Sequence, residues 1–114
     1  MTTQLNWTGA SGNVYTFSVH PLGTQFNPIP GIYLFCRDIP DGLEALYVGE
    51  TQSFVDRLNT GLQNHDGYKR ASRIGFDYVA VMRCDDSTER LRIETDLRHA
   101  FNPIFNRRSV ENTR

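Results

Sequence analysis

The chain has 114 residues, 39% of them hydrophobic and 22% charged, with a formal net charge of −1. That length suits one small domain with its own core, and the near-neutral charge speaks against a strong non-specific nucleic-acid coat. Two cysteines without C-x-x-C spacing exclude a disulfide-dense scaffold and a zinc clip. With no apolar run near the ~20 residues of a membrane span and no basic-then-apolar start, the expectation is a cytoplasmic protein with no membrane partner.

In chain order, Val14 to Val19 alternates, with Tyr15, Phe17 and Val19 on one face, and reads as a half-buried strand. The Gly9 to Gly12 segment supplies turn chemistry before it, so Gln4 to Thr8 is its expected hairpin partner. Pro28 and Pro30 precede a strand from Gly31 to Cys36. The segment Arg37 to Glu44, with Pro40 and Asp41-Gly42, is expected as a loop leading to a second strand from Ala45 to Gly49. Phe54, Val55, Leu58 and Leu62 then take helical spacing, predicting a helix over about Ser53 to Asn64, although Gly61 weakens it. Phe76 to Arg83 reads as a strand buried on both faces. Asp86 with Glu89 forms a plausible capping box for a helix from Ser87 to Phe101, ended by Asn102-Pro103. The order predicts an α+β domain with a small antiparallel or mixed sheet flanked by helices.

Charge is distributed unevenly. Residues 1 to 36 hold no Asp, Glu, Lys or Arg, residues 37 to 56 carry Arg37 against five acids, and residues 57 to 114 carry eleven bases against eight acids. Lys69 is the only lysine, so the basic half is built of arginine, which grips phosphate bidentately. The plainer reading of the same charges is a solvated, mixed-sign surface.

Each candidate residue has an ordinary reading beside a functional one. Glu94 shares a helix stripe with Leu91, Leu97 and Phe101, where a carboxylate needs a partner or a metal. Arg90 and Arg98, one turn to either side, could pair with it. Arg57 lies at the edge of the first helix's apolar face, where a snorkelling stem is common. Tyr33 and Tyr47 stand on the two strands of one hairpin, as core tyrosines often do. His65 follows the first helix, a usual place for a surface or capping residue. His20 and His99 show no ligand spacing with it. Asp85 and Asp86 read as helix caps, and Cys36 and Cys84 as buried small hydrophobes within strands.

Taken together, the order of these residues is informative. Gly31-Ile32-Tyr33 opens one strand, Tyr47-Val48-Gly49 closes the next, and Arg57-Leu58, Glu94 and Pro103-Ile104-Phe105-Asn106 follow. This arrangement resembles the GIY-YIG nuclease superfamily over roughly residues 31–106, with residues 1–30 as an N-terminal hairpin extension of a single domain. The resemblance implies a small sheet flanked by helices and one divalent ion, Mg²⁺ or Mn²⁺, held by Glu94. Tyr33, Tyr47, Arg57 and Asn106 would gather at the scissile phosphate, Tyr33 as base or water-orienting group and Arg57 against developing charge. It departs from the family pattern at Glu50, where many members have Lys. It departs again at Gly61, where a His often stands four residues after the Arg; His65, eight residues after Arg57, is the remaining histidine candidate. The expected function is metal-dependent endonucleolytic hydrolysis of DNA, structured or single-stranded, with low sequence specificity or specificity supplied by a protein partner. The alternative is a non-catalytic nucleic-acid-binding or protein-interaction module on the same scaffold.

Overall fold

A computed structural model describes residues 3–101 together with Pro103. Five strands form one sheet: β1 (Thr3–Thr8), β2 (Val14–Pro21), β3 (Gly31–Ile39), β4 (Gly42–Thr51) and β5 (Tyr78–Arg83). They lie in the order β1-β2-β5-β3-β4, and every pairing is antiparallel. Among the described residues two α-helices accompany the sheet, α1 (Asp66–Ile74) and α2 (Ser87–Phe101). The chain is thus an α+β fold, with an antiparallel rather than mixed sheet.

The sheet is covered on both sides, which explains why β3 is buried from Gly31 to Cys36 without alternation. Ile32, Leu34, Cys36 and Val48 point to α2 and meet Ile93 and Leu97. Tyr33, Phe35 and Leu46 point the other way and meet Phe54, Leu58, Ala71 and Phe76. The N-terminal hairpin forms between β1 and β2, and β2 then pairs with β5, so the charge-free arm extends the main sheet. Its tip is tied to α2 by Asp96, which accepts from the Ser11 amide (2.8 Å), the Ser11 hydroxyl (2.7 Å) and the Tyr15 hydroxyl (2.7 Å).

Several local expectations need correction. Arg37 to Glu44 is not a loop: β3 and β4 pair as far as Ile39 and Gly42, leaving a tight turn at Pro40-Asp41. A bulge between Phe35↔Tyr47 and Cys36↔Ala45 makes Leu46 the extra residue and turns it into the same core as Tyr33. The helix expected over Ser53 to Asn64 starts at Phe54 but becomes a π-helical segment over Asp56–Thr60 and a 3-10 turn over Leu62–Asn64. The Gly61 amide reaches back five residues to the Asp56 carbonyl at 2.8 Å. A Cβ on Gly61 would sit 2.4 Å from that oxygen, so glycine is what lets the wide turn close.

Helix α1 was not foreseen. Phe76 lies buried before β5 rather than in it, and Cys84 lies just past β5, half-buried, whereas Cys36 is fully buried within β3. Helix α2 spans the expected residues, and Asp86 caps it by accepting from the Glu89 amide at 2.8 Å. The reciprocal arm of the capping box is replaced, because the Glu89 carboxylate pairs with Arg92.

Candidate functional site

Four of the candidate side chains converge on one face of the sheet, near its β4 edge. Tyr33 stands directly across from Gly49, so both face the same side. A Cβ on Gly49 would lie 2.4 Å from the Tyr33 Cζ and Oη. The absence of a side chain there lets the phenol cross β4 and carry its hydroxyl to the sheet edge. Tyr47, two residues earlier on β4, lies against Phe35 with ring centroids 5.6 Å apart and against the His65 ring at 4.9 Å. Gly67 makes room for it, since a Cβ at Gly67 would come within 2.7 Å of the Tyr47 ring.

The Tyr33 hydroxyl is the hub. Its Oη is 2.6 Å from His65 Nε2 and 3.4 Å from Arg57 Nε. His65 is not at the surface: it has no exposed area, and it is the N-cap of α1, with Nδ1 accepting from the Tyr68 amide at 3.2 Å. Because Nδ1 accepts, the proton of the neutral ring sits on Nε2, which therefore donates to Tyr33. Burial, reinforced by the positive charge of Arg57, pushes the His65 pKa down to about 4, so the ring is neutral near pH 7. Arg57 is half-buried on the π-helical segment, and its guanidinium also interacts with Tyr47. Burial opposes its charge, but the bonds and charge interactions with Tyr33 and Tyr47 outweigh this and raise its pKa. Burial, followed by the neighbouring Tyr47, raises the Tyr33 phenol above its ordinary value, and Arg57 pulls partly against them.

Glu94 approaches from the other side. Helix α2 packs on the face to which Glu50 points, and the half-buried Glu94 carboxylate lies beside the Glu50 backbone N–H on the edge strand, which favours its charged form. Burial raises its pKa, Glu50 adds to this, and Arg98 and that N–H oppose it. The expected pairing of Glu94 with Arg90 is overturned: Arg90 turns to Glu50, Nε to Oε1 at 3.0 Å. Among the described residues Glu94 has no ion pair within 4.0 Å, and Arg98 acts on it only through its charge. Asn106 lies outside the described residues.

Among those residues, no group of three or more His, Cys, Asp or Glu side chains is gathered that could hold a metal ion. No described helix is long and apolar enough to cross a membrane. Comparison with family models, curated proteins and solved structures returned no match for this chain. The functional reading therefore rests on the residues themselves.

Two features of the site were missed from sequence: α1 and the π-helical turn that carries Arg57. Helix α1 had a signal, since His65-Asp66 at its start, Arg73 in its last turn and Gly75 after it are the usual punctuation.

Proposed function

We propose that this chain is a GIY-YIG-like, divalent-metal-dependent endonuclease that hydrolyses phosphodiester bonds in DNA. The observation that carries this reading is the Tyr33 hydroxyl at the β4 edge, receiving hydrogen bonds from His65 and Arg57, with Glu94 beside the backbone of the same strand. The donor set suits a hard cation held chiefly by one carboxylate. Glu94 is half-buried and unpaired by any described arginine, and burial raises its pKa, so a bound cation would favour its charged form against that burial. When bound, Mg²⁺ or Mn²⁺ would supply Lewis-acid activation of the phosphate and of an attacking water.

The side chains divide the remaining work. Arg57 offers a fixed positive charge toward negative charge growing on the phosphate oxygens. Tyr33 orients the attacking water; to take its proton it must first release its own to bulk water, which added positive charge would favour against the burial that keeps the phenol protonated. His65, whose Nε2 already carries its proton, serves as a hydrogen-bond donor to Tyr33 rather than as a base. Tyr47 lies within reach of the same phosphate, and Asn106 is proposed to orient Glu94 or the substrate. Low sequence specificity, or specificity supplied by a protein partner or by substrate structure, belongs to the same proposal.

The test incubates the protein with supercoiled plasmid, single-stranded DNA and RNA, in Mn²⁺ or in EDTA. Nicking of plasmid in Mn²⁺ that disappears in EDTA and in the folded Glu94→Ala variant is the expected result. Cleavage by Glu94→Ala at the wild-type rate would sink the assignment of the metal carboxylate. One observation favours a non-catalytic module instead: Tyr33 is only 1% exposed and His65 0%, as in a closed structural cluster. On that reading DNA is retarded in gels but stays intact in Mn²⁺.

A further inference from the structure

Helix α2 bears Glu94, but apolar packing is a poor ruler for placing it. Ile93 and Leu97 pack on Ile32, Leu34 and Val48, and such contacts tolerate small slides along a sheet. Directional contact comes from Asp96, which ties α2 to the hairpin tip, and, on the β4 side, from Arg90, one turn before Glu94. The Arg90 side chain is only 5% exposed, unusual for a guanidinium, and its hydrogen bonds among the described residues go to Glu50 on the edge strand β4 and to the turn that joins the central strand β5 to α2. Nε donates to the Glu50 carboxylate at 3.0 Å, and Nη1 donates to the Cys84 and Asp85 carbonyls at 3.1 and 2.9 Å. Glu50 is thus held by the same helix through its carboxylate by Arg90, while its backbone N–H lies beside Glu94.

We propose that the part-buried Glu50–Arg90 pair is a clamp that fixes α2 against strand β4 and thereby sets the position of the Glu94 carboxylate, making both Glu50 and Arg90 positioning residues. This rests on the nuclease reading for its functional consequence, but not for its geometry. The clamp also neutralises Glu50, a carboxylate that would otherwise stand uncompensated beside an approaching phosphate. A cation at this strand end is therefore supplied from the neighbouring helix and spent on an internal partner rather than on the substrate.

The critical variant is the double replacement Glu50→Gln with Arg90→Met, which removes both charges and leaves side chains of similar length. Replacing a buried ion pair by neutral groups of similar size is often neutral for stability, and the Cys84 and Asp85 carbonyls can turn to water. Two measurements follow on folded protein. Amide hydrogen exchange reads the Glu50 N–H, expected to lose at least about tenfold in protection while the β3 amides keep theirs. Plasmid nicking in Mn²⁺ reads kcat against KM, expected to show kcat down about tenfold or more with KM little changed, because a small misplacement of a reacting group acts on the chemical step. Should the double variant fail to fold, Glu50→Gln alone keeps the carbonyl bonds of Arg90 and is expected to show the same two changes at about threefold or more.

A folded variant in which Glu50 keeps its protection overturns the clamp, whether or not the protein cuts DNA. So does a folded variant with lost protection that cuts at the wild-type kcat. Wild-type protein that never nicks in Mn²⁺ overturns the nuclease reading, and the exchange result then decides the clamp by itself.

Discussion

His65 has both ring nitrogens committed, one to cap a helix and one to hold the Tyr33 hydroxyl. Its ring takes a proton only below about 4 when folded, against an ordinary value of 6.5. Between those values the unfolded chain binds more protons, so the contribution of His65 to stability is complete above pH ~6.5 and fades as pH falls toward 4. With part of the shift screened, this amounts to roughly 2 kcal/mol. Glu94, whose pKa is raised, contributes in the opposite sense, favouring the folded state as pH falls. Urea midpoints measured from pH 7 to 4 are therefore expected to drop more steeply in wild type than in His65→Gln, a comparison in which the Glu94 contribution cancels. Equal slopes would mean that the buried neutral imidazole is not what titrates. Tyr33→Phe probes the same hub from the other side. It leaves the His65 and Arg57 donors without their shared acceptor, and is expected to cost about 1–2 kcal/mol in urea unfolding. Plasmid nicking should fall by about a hundredfold or more, since the phenol is the group closest to the proposed chemistry.

At the scale of elements, the site depends on close backbone approaches that allow side chains to cross from one strand or helix to another. Gly49→Ala places a methyl group where the Tyr33 ring passes. Relieving that clash displaces Tyr33 at a cost of about 1–3 kcal/mol. The folded variant should nick plasmid far more slowly than its loss of stability explains, as read by unfolding curves and nicking rates on one preparation. Wild-type stability and rate together would show that Tyr33 does not cross at Gly49. The strands were legible because β2 alternates with period two and because β3 and β5 are continuous apolar runs. Helix α2 was legible from its cap and its stop. The segment from Asp56 to Ile74 was not, for two physical reasons. Its apolar residues look like one amphipathic helix, but Gly61 permits an i→i+5 bond that re-aims the following residues. Next, Asp66-Gly67 has the composition of a turn, although here it opens α1, with Gly67 selected for its fit against Tyr47. At the site, the order of Tyr33, Tyr47, Arg57 and Glu94 was legible. The absence of an ion pair at Glu94 among the described residues was not, because helical spacing counts neighbours on α2 while the acceptor Arg90 takes instead, Glu50, comes from β4.

For the molecule as a whole, the sequence-level asymmetry of charge becomes an asymmetry of surfaces. The charge-free first 36 residues build β1, β2 and most of β3. Many of the bases that follow are internally engaged: Arg90 with Glu50, Arg37 with Glu44, Arg83 with Asp85 and Arg92 with Glu89. Lys69 and Arg73 are different, being exposed one turn apart on α1, whose N-terminus is capped by the same His65 that holds Tyr33. If DNA bound at Tyr33 runs past this helix, Lys69 and Arg73 are the exposed bases on α1 that its phosphates would meet. Each phosphate neutralised contributes about −0.9 to the slope of log affinity against log salt. With a net charge of −1, wild-type binding is expected to be modest, with a shallow slope of about −2 to −3. Lys69→Ala with Arg73→Ala should flatten the slope by close to two units and weaken binding to unrelated duplexes alike, because phosphate contacts carry no base information. Fluorescence anisotropy of a labelled duplex in EDTA, titrated at several salt concentrations, measures both quantities without cleavage. An unchanged slope in that double variant would place the DNA path away from α1, and with it the approach to Tyr33.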